Sequence, residues 1–197
     1  DRLRDGRVIP FVGAGVSMNV LDRFSHEPVF PSWRQLLSHA ADRLEEETKT
    51  AEAEVVRSLL KVQRPDFLYA AGQAREALGA IWFEFLKDKL DIPFERIYDE
   101  SLELARLIWR LGSNLIITTN YDEVLRWACP RQQDLQSWDI TAPVEQASLL
   151  QQGLRRPVVW HLHGRISKAS QIILTAKDYQ LLYPTENHGV RQADYEA

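Results

Sequence analysis

Three short polar segments of this sequence combine residue types that could bind a nucleotide and transfer a proton. GAGVS spans 13–17, TTNYD spans 118–122 and HLHG spans 161–164. Closely spaced glycines leave backbone N–H groups open to phosphate oxygens, and a histidine can take a proton near neutral pH. Together the segments predict a site that could hold a pyrophosphate, bind a ribose and move a proton.

Each segment alone also has a purely structural interpretation. The glycine run could be a tight strand-to-helix turn, and Asn120 or Asp122 could simply cap the following helix. His161 and His163 could be metal ligands, but no third ligand at a suitable spacing is evident. We therefore interpret His161 as a structural residue that hydrogen-bonds within the sheet, and we expect no metal site.

Each polar segment directly follows an apolar run that is typical of a buried strand. The predicted strands are 8–12, 115–118 and 157–162, and a fourth is predicted at 172–174. The carboxyl ends of parallel strands meet at one edge of a sheet, where open α/β proteins bind their ligands. We therefore expect the three segments to converge on one crevice.

Nearly all of the chain between the first two predicted strands has helical periodicity. Ser32 and Gln35 form a capping box that predicts a helix from 33 to about 47, and four more helices are predicted before Gly112. Shorter helices are predicted over 122–129 and through Tyr179 to Leu182. The fold class is thus α/β, a Rossmann-like and mostly parallel sheet with a large helical insertion, 33–112, after the first strand.

Composition limits the classes of function. The net charge of -4 argues against a general nucleic-acid binder, and no apolar run reaches the ~20 residues of a membrane span. Cys129 is the single cysteine, which excludes an intrachain disulfide and a cysteine-based zinc site. A reducing, cytoplasmic location is expected, since no leader-like segment precedes the first predicted strand.

Two further sequence features refine this interpretation. The dinucleotide fingerprint of dehydrogenases requires a third glycine where this chain has Met18, and a second strand within ~30 residues, so an ordinary dehydrogenase is disfavoured. The six tryptophans are interpreted mostly as core or interface residues, because four of them fall within predicted helices: Trp33, Trp82, Trp109 and Trp127.

In their order along the chain, GAGVS, TTNYD and HLHG resemble the three signature segments of sirtuins. The variant forms resemble the sirtuin-like domains of bacterial antiphage-defence proteins that hydrolyse NAD, and so does the stretch with Leu174, Thr175, Asp178 and Tyr179. The resemblance spans roughly 7–183, although the helical region matches only in character.

The resemblance implies a role for each polar residue. Asn120 would hold the nicotinamide-side ribose and position a water, and His163 would be the general base that acts on a ribose hydroxyl or on that water. Asp122 would contact the nicotinamide amide. The residues expected to line the phosphates, the ribose and the rest of the NAD site are Gly13, Ala14, Gly15, Ser17 and Thr119.

The departures from sirtuins shift the expected reaction. Deacylating sirtuins usually carry a four-cysteine zinc module after the histidine, which one cysteine cannot supply. The resemblance therefore favours an NAD hydrolase that acts in antiviral defence by depleting NAD. The alternatives are a non-catalytic module that senses NAD or ADP-ribose, and an NAD-dependent deacylase or ADP-ribosyltransferase.

The resemblance also bears on organisation and partners. It implies one sirtuin-like domain over 1–197, and we expect this domain to be truncated at its C-terminal end because a Gly-x-Ser segment for the adenosine end is not found before Ala197. NAD is the expected substrate. A homo-oligomer and a sensor domain or partner protein outside this fragment are expected, without membrane or direct nucleic-acid binding.

Overall fold

The computed structural model describes residues 8–140 and 143–182, and within them four strands form one parallel sheet. The strands are β1 (Phe11–Val12), β2 (Leu115–Thr118), β3 (Gln136–Trp138) and β4 (Val158–His161), in the order β1-β2-β4-β3. Parallel neighbours need crossover connections, and helices supply them. The predicted α/β, Rossmann-like class is confirmed.

The helices of the described residues fall into two groups. Five lie between β1 and β2, as the periodicity predicts: α1 (Trp33–Glu46), α2 (Thr50–Lys61), α3 (Phe67–Leu78), α4 (Trp82–Leu90) and α5 (Glu103–Trp109). Three follow β2: α6 (Val124–Trp127), α7 (Pro143–Gln152) and α8 (Ala176–Leu182).

Local capping explains where the helices of the first group begin and end. The Ser32 side chain accepts a hydrogen bond from the backbone N–H of Gln35, and the Ser32 N–H donates to the side-chain oxygen of Gln35, so the predicted capping box forms. Asp66 caps α3 by accepting from the Tyr69 N–H. Gly112 has a φ of 79° in the turn after α5.

Two sequence predictions about secondary structure are wrong in detail, and two elements were missed. Residues 172–174 do not form a strand, because this extended and buried segment makes one ladder-like bond, from the Ile173 N–H to the His163 carbonyl. The helix predicted over 122–129 spans only Val124–Trp127. β3 and α7 were not predicted at all.

The first strand is shorter and more exposed than predicted. It begins at Phe11 because Pro10 has no N–H to donate to the ladder, although its carbonyl still accepts from Ile117. β1 lies at the edge of the sheet, paired only with β2, and Phe11 is 65% exposed. The expectation of a buried strand holds for Val12, which points into the core.

One apolar cluster joins the sheet to the helical region. Val12, Ile116 and Val159 are neighbours on adjacent strands, and they belong to the same cluster as buried residues of α1 to α5. A smaller cluster around Trp138 covers part of the opposite face of the sheet, beneath α7. The helical region between β1 and β2 therefore packs directly on the sheet that carries the three polar segments.

Candidate functional site

Strand register places the three polar segments side by side. Val12 is paired with Thr118, and Thr118 with His161, so the last residues of β1, β2 and β4 form one row across the sheet. The Thr118 hydroxyl donates to the Val12 carbonyl over 2.9 Å. The chain leaves all three strands at this row, and the predicted convergence at the carboxyl edge of the sheet is confirmed.

Asn120 connects the first two segments. Its side-chain amide donates to the Ser17 hydroxyl over 2.8 Å and to the Gly13 carbonyl over 3.1 Å. Its backbone N–H donates to the Thr118 hydroxyl over 3.0 Å. Asn120 is only 7% exposed, so its amide is held in one orientation at the floor of the crevice and does not cap the following helix.

Asp122 is a buried carboxyl group with few compensating contacts. Its side chain accepts from the Val124 N–H over 3.0 Å, but the N-cap of α6 is Glu123, so the interpretation of Asp122 as a helix cap is wrong. Burial raises the pKa of Asp122, while hydrogen bonds from Ser17 and the Val124 N–H oppose that rise. Ser17 thus accepts from Asn120 and donates to Asp122, which links an amide and a carboxyl through one hydroxyl.

His163 lies on the opposite side of the crevice from the glycine run. Its Nδ1 is 3.1 Å from the Tyr179 hydroxyl, and the two rings meet edge to face at 5.0 Å. Burial lowers the pKa of His163, so the imidazole is neutral at pH 7. A neutral imidazole is the form that can accept a proton.

His161 has the structural role that the sequence predicts. It is 2% exposed, and its Nδ1 is 2.8 Å from the carbonyl oxygen of Asn120. Burial lowers its pKa, so the neutral ring donates through Nδ1 to that carbonyl. His161 therefore holds the backbone carbonyl of Asn120 by a hydrogen bond from the end of β4.

A cavity of about 320 Å³ opens at this edge of the sheet, within the size range of small-ligand sites. Six of the eight predicted site residues line it: Ala14, Ser17, Thr119, Asn120, Asp122 and His163. Gly13 and Gly15 do not line the cavity. Gly13 contributes its carbonyl to the Asn120 amide, and the Gly15 carbonyl accepts from the Asn19 side chain over 2.6 Å.

Part of the cavity lining is apolar, and its residues were not predicted as part of the site. It is formed by residues of the loop before α1, of α1 itself and of α4: Phe30, Pro31, Trp33, Leu36 and Leu90. Trp33 stacks on Phe67 at 6.1 Å, as its predicted packing role implies, but it also lines the cavity. No local pattern distinguishes such residues from ordinary core, because tertiary packing alone brings them to the site.

The backbone conformation of the first segment does not require glycine at 13 or 15. Neither Gly13 nor Gly15 has a positive φ, and a Cβ added to either would meet no heavy atom within 4 Å. By contrast, Gly164 has a φ of 86°, and a Cβ there would lie 2.9 Å from the Gln171 carbonyl oxygen. Gly164 is thus needed for the turn after His163, whereas the first segment leaves open space beside the backbone.

Within 8–140 and 143–182, no group of three or more His, Cys, Asp or Glu side chains is placed to hold a metal ion. In the same residues, no helix is long and apolar enough to cross a membrane.

A parallel sheet with helical crossovers and a polar crevice at its carboxyl edge defines a Rossmann-like α/β domain. Comparison with known families refines this class, because residues 114–194 match the SIR2-like domain family. The match supports a sirtuin-like domain and includes the second and third polar segments. A comparison with curated proteins gives no significant match.

The family match gives the site a general function. SIR2-like domains bind NAD, and the family includes enzymes that use it. The match suggests a function related to NAD, and the crevice that carries Asn120, Asp122 and His163 is the candidate site for it.

Proposed function

We propose that this protein is an NAD hydrolase that splits NAD into nicotinamide and ADP-ribose. The observation that carries the proposal is that Asn120, Asp122 and His163, from two separate segments, line one cavity with Ser17 and Ala14 of a third. A buried amide, a buried carboxyl group and a neutral imidazole around one cavity provide binding, orientation and proton transfer together.

In this proposal the first segment binds the phosphates and the adjoining ribose. Gly13 and Gly15 have open space where a side chain would be, which is the space that a pyrophosphate close to the backbone would need. Ala14, Ser17 and Thr119 contribute the neighbouring wall. The buried Ser17 hydroxyl is held between Asn120 and Asp122, so it also fixes the residues that meet the nicotinamide-side ribose.

The apolar part of the cavity lining suits a flat heteroaromatic ring such as nicotinamide. Phe30, Trp33 and Leu90 offer ring and aliphatic surface there. Asp122 lies on the polar side and can accept from the carboxamide N–H₂ of that ring. This arrangement would orient the bond between nicotinamide and ribose towards Asn120 and His163.

The proposed reaction breaks the bond between the ribose C1′ and the nicotinamide nitrogen. Nicotinamide leaves with the bonding electron pair, which neutralises its positive charge, and the ribose becomes oxocarbenium-like. Asn120 holds the ribose and a water, the water oxygen bonds to C1′, and His163 takes the proton that the water loses. The protein mainly positions the ribose and excludes other nucleophiles.

Water is the proposed acceptor, and no zinc takes part. The sequence has one cysteine, Cys129, which is buried beside α6 and cannot form the four-cysteine zinc module of deacylating sirtuins. The presence of a proton acceptor, His163, favours turnover over a module that only senses NAD or ADP-ribose, since a pure binder needs no base.

We further propose a biological setting that rests on the resemblance of the three segments to defence NAD hydrolases. In it, residues 1–197 belong to one sirtuin-like domain, with 33–112 as its helical insertion. The protein is a cytoplasmic antiviral effector that forms homo-oligomers, and an attached sensor domain or a partner protein controls it.

Measuring NAD consumption with and without acceptors tests the reaction type. The full-length protein is incubated with NAD alone, with an acylated peptide or with a protein acceptor, and products are separated by chromatography. Hydrolysis predicts nicotinamide and ADP-ribose in equal amounts without any acceptor. Consumption only with an acceptor would indicate a deacylase or transferase, and tight NAD binding without consumption would indicate a sensor; either result would contradict the proposal.

A further inference from the structure

Tyr179 contacts the ring of His163 but lies outside the three polar segments. It lies on α8, lines the same cavity, and places its hydroxyl 3.1 Å from Nδ1 of His163. We propose that Tyr179 is the positioning residue that selects the tautomer of His163, and that the Asp178–Arg75 ion pair holds it in place. This inference rests on the proposed function, in which His163 is the base.

The tautomer matters because only one of the two neutral forms leaves Nε2 able to accept a proton. If the Tyr179 hydroxyl donates to Nδ1, the ring proton is on Nε2, and that nitrogen is a donor. If Nδ1 carries the proton and donates to the phenol oxygen, the lone pair of Nε2 is available. A base that acts through Nε2 therefore requires the second arrangement.

His163 is held both through its backbone and through its ring. Its backbone carbonyl accepts from the Ile173 N–H over 2.9 Å, and the edge of one ring meets the face of the other at Tyr179. His163 is 8% exposed, so water competes little for Nδ1. A phenol at this position can accept the Nδ1 proton, whereas a phenylalanine of the same shape cannot.

Asp178 fixes the start of α8, and with it the backbone of Tyr179. One carboxylate oxygen accepts from the N–H groups of Leu174 and Thr175 and from the Thr175 hydroxyl, at 3.2, 2.9 and 2.9 Å. The pKa of Asp178 is lowered: burial opposes this, but hydrogen bonds from Thr175, Leu174 and Arg75 outweigh it. The carboxylate is thus ionised at neutral pH and can serve as a firm anchor.

Arg75 connects Asp178 to the helical region by an ion pair. Its guanidinium lies 2.8 and 3.0 Å from the two carboxylate oxygens of Asp178, and it also lies over the ring of Phe83 at 5.3 Å. Arg75 belongs to α3, about a hundred residues earlier in the chain. The inserted helices therefore reach the proposed base through Asp178 and Tyr179.

The test compares Tyr179→Phe with Tyr69→Phe in the full-length protein. Tyr69 is a half-exposed tyrosine of α3 that contributes no contact to His163, so it controls for loss of a phenol elsewhere. Each protein is labelled with ¹⁵N in its histidine rings, and the His163 signals are assigned by their absence from His163→Gln. Turnover is measured in parallel as kcat and KM for NAD.

We expect His163 of the wild type and of Tyr69→Phe to be protonated on Nδ1, and that of Tyr179→Phe to be a mixture or protonated on Nε2. The kcat of Tyr179→Phe should fall at least about tenfold with little change in KM, because an orienting partner of a catalytic histidine acts on the chemical step. Arg75→Gln should change both readouts in the same direction by a smaller factor.

Two results would overturn the inference: a wild-type His163 protonated on Nε2, or a Tyr179→Phe protein with an unchanged tautomer and kcat. The proposed function can fail separately. If the wild type never consumes NAD but the tautomer still changes in Tyr179→Phe, the positioning role stands and the hydrolase proposal is wrong.

Discussion

Replacing Gly164 by alanine tests whether the turn after His163 is as tightly constrained as the geometry indicates. Gly164 has a φ of 86°, and an added Cβ would lie 2.9 Å from the Gln171 carbonyl oxygen and 3.2 Å from the Ile172 Cα. Both atoms are backbone, so neither can move aside by a change of rotamer. The substitution should force the turn at 164 away from 171–172 and stretch the bond between the Ile173 N–H and the His163 carbonyl.

The expected loss of stability has two parts. A positive φ costs a non-glycine residue ~1–2 kcal/mol, and overpacking against fixed atoms costs about 1–3 kcal/mol. The free energy of unfolding of Gly164→Ala should therefore fall by roughly 2–5 kcal/mol. Because the same shift moves His163 relative to Tyr179, turnover of folded protein should also fall.

Urea denaturation followed by circular dichroism measures the change, and Gly72→Ala is the matched control. Gly72 lies within α3 without a positive φ, and a Cβ there meets no heavy atom within 4 Å. Alanine should stabilise that helix by about 0.5–1 kcal/mol. If Gly164→Ala were within about 0.5 kcal/mol of the wild type, the stated geometry of the turn would be wrong.

Three further predictions concern other parts of the site. Asp122→Asn should raise the free energy of unfolding by about 1 kcal/mol, because it removes the cost of ionising a buried carboxyl group and the asparagine oxygen can still accept from the Val124 N–H. Urea denaturation at pH 7 would show this, with nicotinamide release lost, and a less stable protein would contradict it. Burial lowers the pKa of His161 and His163 below the ordinary value near 6.5, so the unfolded chain binds more protons below that pH. Stability should then fall as the pH drops through and below 6.5. A smaller fall in melting temperature between pH 7 and pH 5 for His161→Gln than for the wild type would assign part of this effect to His161, and an equal fall in both would contradict that assignment. Gly13→Ala should leave the melting temperature unchanged, since its Cβ meets open space, but should weaken NAD binding at least about tenfold by calorimetry; unchanged affinity would remove this backbone from the NAD site.

Local patterns predicted the elements that position the site, because helix caps and strand-end segments act over a few residues. The capping box at Ser32, the long helical region and the polar segments at three strand ends all depend on such short-range signals. The convergence followed from one rule about parallel sheets. His161 could be assigned to the sheet because it lies within the apolar run of β4.

Features that depend on distant neighbours could not be predicted in this way. The segment 172–174 has the composition of a strand but lacks a pairing partner in the ladder, whereas the polar β3 forms because β4 offers a free edge. The apolar part of the cavity lining comes from residues around α1 and α4 that look like ordinary core in the sequence. Tyr179 belongs to the stretch that resembles the defence NAD hydrolases, but no local pattern predicts its contact with His163 or the ion pair from its neighbour Asp178 to Arg75 of α3.

The most direct test of the central claim is the release of nicotinamide by the full-length protein and by its Asn120→Ala variant. Purified proteins are incubated with NAD alone, and nicotinamide and ADP-ribose are quantified by chromatography, with circular dichroism to confirm that the variant is folded. If the protein hydrolyses NAD in the crevice that contains Asn120, the wild type should release equal amounts of both products and Asn120→Ala should release none above background. NAD that stays intact with the wild type, or equal hydrolysis by the variant, would contradict it.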